Sequence, residues 1–131
     1  MPANSPITLI AMALMATLLP ASAQATQASL ELTITTSSGE FEQRVARYDC
    51  AGETPLEVTY VNAAPNFLAI VPLDDEPEPL IMSAVLSGSG ARYAASKWVW
   101  WTKGAEASLY DAMLDEDAEP VLTCTEINNI P

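Results

Sequence analysis

The sequence predicts an all-β domain, a small antiparallel barrel or sandwich, on three observations. Apolar and polar residues alternate with period two in several short runs. Turn-forming clusters separate those runs about every 8–12 residues. No stretch keeps the 3.6-residue period of a long helix. The first run, residues 30–35 (LELTIT), alternates strictly and is stopped by Ser37-Ser38-Gly39. Residues 45–50 make a second short strand, and Ala51-Gly52-Glu53-Thr54-Pro55 is turn chemistry. Residues 56–61 (LEVTYV) alternate again, up to the turn NAAPN at 62–66. Residues 67–71 form an apolar strand closed by Pro72. Residues 74–79 (DDEPEP) combine charge with proline, which predicts a solvated loop. Residues 80–86 are the next strand, followed by Ser87-Gly88-Ser89-Gly90. Residues 91–94 and 98–103 flank a turn and so form a hairpin. Residues 107–110 make a short strand, 115–119 a second acidic stretch, and 121–125 the last strand. No repeat and no linker divides this domain.

Ahead of it, residues 7–19 (ITLIAMALMATLL) form an uncharged apolar run of 13 residues. A membrane-spanning helix needs about 20. Pro20 ends the run, and Ala21-Ser22-Ala23 supplies the small-x-small pattern that signal peptidase requires. Residues 1–23 are therefore expected to be a cleaved signal peptide, and residues 24–131 a single exported domain. A retained hydrophobic anchor is the alternative that the length disfavours. No cysteine follows the apolar run to carry a lipid, so no membrane anchor is expected after cleavage. Export places the two cysteines, Cys50 and Cys124, in an oxidising compartment, where they should pair. Closing a loop of that length stabilises by about 4 kcal/mol in the chain-entropy account. Two buried thiols would be the better reading only in the cytosol.

Composition narrows the function. The chain of 131 residues carries 17 acids, 5 bases and no histidine, a formal charge of −12. Without histidine there is no Ser-His triad and no His-ligated metal. The charge disfavours nucleic acid and anionic membrane as partners. No nucleophile–base motif, phosphate loop or ordered calcium loop occurs, so neither an enzyme nor a cofactor is expected.

Residues 87–110 (SGSGARYAASKWVWWTKGAEASLY) carry the information. Gly88 and Gly90 flank Ser89, and glycine lets a backbone bend sharply and approach a foreign surface. Trp98, Trp100 and Trp101 sit beside Lys103, a cation in a strongly acidic chain. With the hairpin turn centred on Ser96, Ser89 stands opposite Lys103, hydroxyl beside ammonium. Read by themselves, these features are also those of a glycine-rich turn next to a core strand.

The run Ser87-Gly88-Ser89-Gly90-Ala91-Arg92-Tyr93, followed by Trp100-Trp101-Thr102-Lys103-Gly104-x-Glu106-Ala107-x-Leu109, resembles the bacterial inhibitors of C-type lysozyme, the MliC/PliC family with its membrane-anchored and periplasmic branches. Tyr48-x-Cys50, Val58-x-Tyr60-x-Asn62 and Cys124 extend the resemblance. It implies an eight-stranded antiparallel β-barrel with a Cys50–Cys124 disulfide. It implies a C-type lysozyme as partner and Ser89 with Lys103 as the inhibitory pair. Gly88 and Gly90 would let that loop enter the cleft. Arg92 and Tyr93 would extend the contact patch, Tyr93 being equally suited to packing. The tryptophans are assigned to holding the hairpin. The missing lipidation cysteine places the chain with the soluble branch, in the periplasm of a Gram-negative cell. A small-ligand barrel with the tryptophans lining a cavity, or an envelope structural protein, are the alternative readings.

Overall fold

The computed structural model describes residues 39–52 and 54–127, with residues 2, 18, 31 and 33–36 besides. The expected cleavage site lies outside the described residues. Eight strands follow one another: β1 (Glu42–Asp49), β2 (Leu56–Ala63), β3 (Asn66–Val71), β4 (Leu80–Val85), β5 (Ala91–Ala95), β6 (Trp98–Lys103), β7 (Glu106–Asp111) and β8 (Leu122–Glu126). Each pairs antiparallel with the next, and β8 returns to β1, closing the barrel. No helix occurs among the described residues.

The expected first strand, 30–35, is a correction. Leu30 and Leu32 lie outside the described residues, and Glu31, Thr33, Ile34 and Thr35 carry no strand. An alternating run becomes a strand only where another backbone takes its hydrogen bonds. Here closure leaves no free edge, because β1 is already paired with β2 on one side and β8 on the other. β1 itself starts earlier than expected, as Glu42, Gln43 and Arg44 pair with Asn62, Val61 and Tyr60.

Strand alternation fills the interior. Trp100, Tyr48, Met82, Val58 and Val71 are fully buried inside it. The polar atoms brought in with them are satisfied, as burial demands. The Tyr48 and Tyr60 hydroxyls lie 2.7 Å apart, and Trp100 Nε1 donates to the Tyr60 hydroxyl at 2.8 Å. Tyr48 meets Trp100 edge to face, with ring centroids 5.3 Å apart. Arg44, held by Glu126 at 2.7 Å, caps this network over the Tyr60 ring.

Burial raises the Tyr48, Tyr60 and Tyr93 phenols above the ordinary value of 10.0, because the low-dielectric interior penalises a phenolate. The folded state then holds these protons more tightly than the unfolded state. Their contribution to stability is complete below the unfolded value of about 10 and is lost as pH rises through the folded values. Unfolding followed by circular dichroism should therefore set in only above about pH 10. It should coincide with tyrosinate absorbance, and ionisation of all four tyrosines without loss of structure would contradict the burial argument.

The seam that closes the barrel is its shortest ladder, two residue pairs between β1 and β8, Tyr48 with Glu126 and Asp49 with Thr125. The next step along the same register is Cys50 with Cys124, and there the disulfide sits. The Ile127 amide adds a bond to the Arg47 carbonyl at 2.7 Å.

The two barrel ends differ. At one end lie the loop between β4 and β5 (residues 86–90) and the turn between β6 and β7. At the other lie the loop of residues 72–79 and the loop between β7 and β8. The acidic loop is less free than its composition suggests. Trp98 Nε1 donates to Glu76 Oε1 at 2.7 Å and seats it against the barrel mouth. Lys97 stacks on Trp98 at 4.4 Å and pairs with Asp111 at 2.9 Å.

Candidate functional site

The hairpin of β5 and β6 is joined by the two-residue loop Ser96-Lys97, with Ser96 at φ 52°. Ala95 pairs with Trp98, Tyr93 with Trp100 and Ala91 with Thr102. The expected pairing of Ser89 with Lys103 is thus one residue out of register. Two-residue loops match strand twist best, and the left-handed Ser96 supplies one. Carried one step past the last pair, the register sets Gly90 opposite Lys103. Gly90 is at φ +63°, and a Cβ there would overlap the Thr102 carbonyl and stand 2.8 Å from Lys103 Cγ. Glycine is needed at this position to let the loop lie against β6. A Cβ on Gly88 would meet nothing within 4 Å, so that glycine answers to no contact inside the barrel.

Ser89 and Lys103 nevertheless come together, through Trp101. Its indole Nε1 donates to the Ser89 carbonyl at 2.9 Å. The Ser87 hydroxyl donates to the same carbonyl. The Lys103 ammonium lies 3.9 Å from the centroid of the Trp101 ring. One side chain therefore fixes the serine loop and carries the lysine on its face. Ser89 and Lys103 are both exposed. The two ion pairs among the described residues are Arg44–Glu126 and Lys97–Asp111, so none of the described carboxylates forms an ion pair with Lys103. An ammonium held on a π face keeps its N–H groups available to a foreign acceptor.

Arg92 opposes Trp101 on the outer face, with its guanidinium carbon 5.1 Å from that ring. Its Nε is buried and has no hydrogen-bond partner among the described residues. Tyr93 points the other way. It is 6% exposed and its ring packs on Tyr60, so it belongs to the core and offers no surface to a partner. The tryptophans also part company. Trp100 is core, Trp98 closes the far mouth and Trp101 is outside. They do not line one cavity. A cavity of about 550 Å³ lies at the far end, bounded by Leu56, Leu73, Trp98 and Leu109.

Sequence reasoning grouped the three tryptophans and so missed the particular role of Trp101. Period two held the signal. Positions 98 and 100 share a face, whereas 101 shares its face with 103. Trp101→Phe keeps a ring under Lys103 but removes the donor to Ser89. Amide exchange at residues 88–90 should accelerate, while the global stability falls by only about 1 kcal/mol. Unchanged exchange there would show that the indole does not hold the loop.

Comparison with known proteins gives a consistent result. The family model "Membrane-bound lysozyme-inhibitor of c-type lysozyme" matches residues 48–118. A membrane-bound lysozyme inhibitor of C-type lysozyme from Pseudomonas aeruginosa is 38% identical over 87 residues, 66% of this chain and 68% of that protein. Its counterpart from Cupriavidus necator is 42% identical over 79 residues, 60% of this chain and 62% of that protein. The crystal structure of Pseudomonas aeruginosa MliC in complex with hen egg white lysozyme is similar at a TM-score of 0.61 and 35% identity, covering 78% of this chain and 100% of that one.

Proposed function

The chain belongs to the family of membrane-bound inhibitors of C-type lysozyme, proteins that inhibit an enzyme and are not enzymes themselves, and from that membership we propose that it blocks a C-type lysozyme without covalent chemistry, by setting Ser89 and Lys103 against the two catalytic carboxyl groups. One observation carries the residue assignment. An exposed ammonium with no ion-pair partner among the described residues, and the backbone carbonyl of an exposed serine, meet on one indole in a chain of charge −12.

Lysozyme works with one carboxyl group protonated and one ionised. Lys103 offers the ionised group a charge-assisted hydrogen bond. The Ser89 hydroxyl donates or accepts, so it suits either protonation state. The loop of residues 87–90 has glycine on both sides of the serine, so no side chain flanks it. Arg92 would extend the patch by turning its remaining N–H groups to the partner. The acidic body would draw in a basic lysozyme and raise the association rate more than the final affinity. Ser89→Ala should weaken inhibition by about 1 kcal/mol, the worth of a single neutral hydrogen bond.

The family's name places its members at the cell envelope. For this chain we propose the periplasm, reached by cleavage after Ala23. A mature mass beginning at Gln24, without added lipid, is the expected result. The functional test is the clearing of a bacterial cell suspension by C-type lysozyme, with and without residues 24–131. Slower clearing is expected, and an unchanged rate would reject the reading.

A further inference from the structure

Two side chains at a loop tip cannot make a stable complex. Specific interfaces take about 800 Å² from each partner, so more of the surface beside Lys103 must take part. The outer faces of β6 and β7 offer it. There Val99, Trp101 and Tyr110 are half-buried, and the Trp101 and Tyr110 rings stand 6.2 Å apart. A shallow recess of about 190 Å³ bounded by Lys103, Glu106 and Tyr110 leads to a groove of about 450 Å³. That groove runs from Arg92 and Trp101 past Tyr110 to the loop between β7 and β8, which contributes Asp115, Glu116 and Glu119.

Charge divides the groove. At its head, Arg92 and Lys103 already occupy Trp101. At its foot, Asp111 is committed to Lys97 and to the Met113 amide, and the hydrogen bond from Lys97 holds its carboxyl below the usual range. Asp115, Glu116 and Glu119 are exposed and take part in neither of the ion pairs among the described residues. An aromatic wall ending in carboxylates is complementary to a long cationic side chain. Its stem lies along the ring, and its head reaches the acids.

We propose that this groove is a second contact for lysozyme, seating a lysine or arginine side chain of the enzyme on Tyr110 with Asp115, Glu116 and Glu119 around its charge. The inference rests on the lysozyme reading given above. It assigns that partner a basic side chain at a fixed place beside the plugged cleft. It also separates two uses of acid in this chain. Acids elsewhere act at long range on the rate of encounter, whereas these three act on the lifetime of the complex.

The test compares two triple variants of equal charge change. One is D115N/E116Q/E119Q, in the groove. The other is D74N/D75N/E78Q, at the same barrel end but outside the groove. Binding to hen egg white lysozyme is followed by surface plasmon resonance at two salt concentrations. The groove variant should dissociate roughly tenfold faster, equivalent to the loss of one good contact. The control should change association and its salt dependence only. A Tyr110→Ser variant should reproduce the faster dissociation without a change in net charge. Equal dissociation rates for the two triple variants would overturn the groove while leaving the inhibitory pair intact. No binding by the unaltered protein would overturn the parent reading and this inference with it.

Discussion

Lys103→Ala is expected to abolish most of the inhibition of C-type lysozyme while leaving the barrel folded. Removing one partner of a desolvated charge pair costs about 2–5 kcal/mol, because the other charge is left buried and unpaired. That is a loss of about 30-fold to a few thousand-fold in affinity. Lys103 is exposed in the free protein and makes no ion pair among the described residues, so its loss costs the fold little. Lys103→Met refines the test. It keeps the stem that lies against Gly90 and Trp101 and removes only the charge. Inhibition constants from clearing assays should rise together for both variants. Retained inhibition by Lys103→Met would transfer the effect from charge to packing.

Removal of the disulfide should produce the largest loss of stability. Cys50 and Cys124 are 74 residues apart in sequence, and closing such a loop stabilises by about 4 kcal/mol in the chain-entropy account. The position makes the loss local as well as global. The bridge continues a β1–β8 ladder of only two residue pairs, so the double variant Cys50→Ala/Cys124→Ala should open there first. Amide exchange at Ile127 and along β8 should speed up before exchange in β2, β3 and β6. Uniform acceleration throughout the barrel would show that the seam is not the weak point. Urea unfolding with and without reductant measures the total.

Much of the fold was legible because strand period, turn chemistry and burial agree over residues 56–125. The failures have separate physical causes. Residues 30–35 alternate as a strand does, but closure leaves them no edge to pair with. The hairpin register depended on which residues turn, and a single left-handed residue, Ser96, moved it by one. Arg92 and Tyr93 are neighbours in one strand and so must face opposite sides; only Arg92 reaches the surface. The loop 74–79 reads as free because its composition is polar. Its restraint comes from Trp98, 22 residues later in sequence, and no local pattern announces such a contact. Ser89 and Lys103 are not opposite one another, yet both meet Trp101, the serine through its backbone carbonyl and the lysine through its ammonium. Side-chain length bridged what backbone register alone would have separated.

Competition with sugar shows whether the inhibitor sits in the cleft. If Ser89 and Lys103 occupy the catalytic cleft, a soluble oligosaccharide that fills the same cleft must exclude them. Binding of the mature domain to C-type lysozyme, titrated at rising oligosaccharide concentration, should show an apparent Kd that climbs in proportion. An apparent Kd that stays constant while the cleft is saturated would place the contact elsewhere on the enzyme and contradict the account.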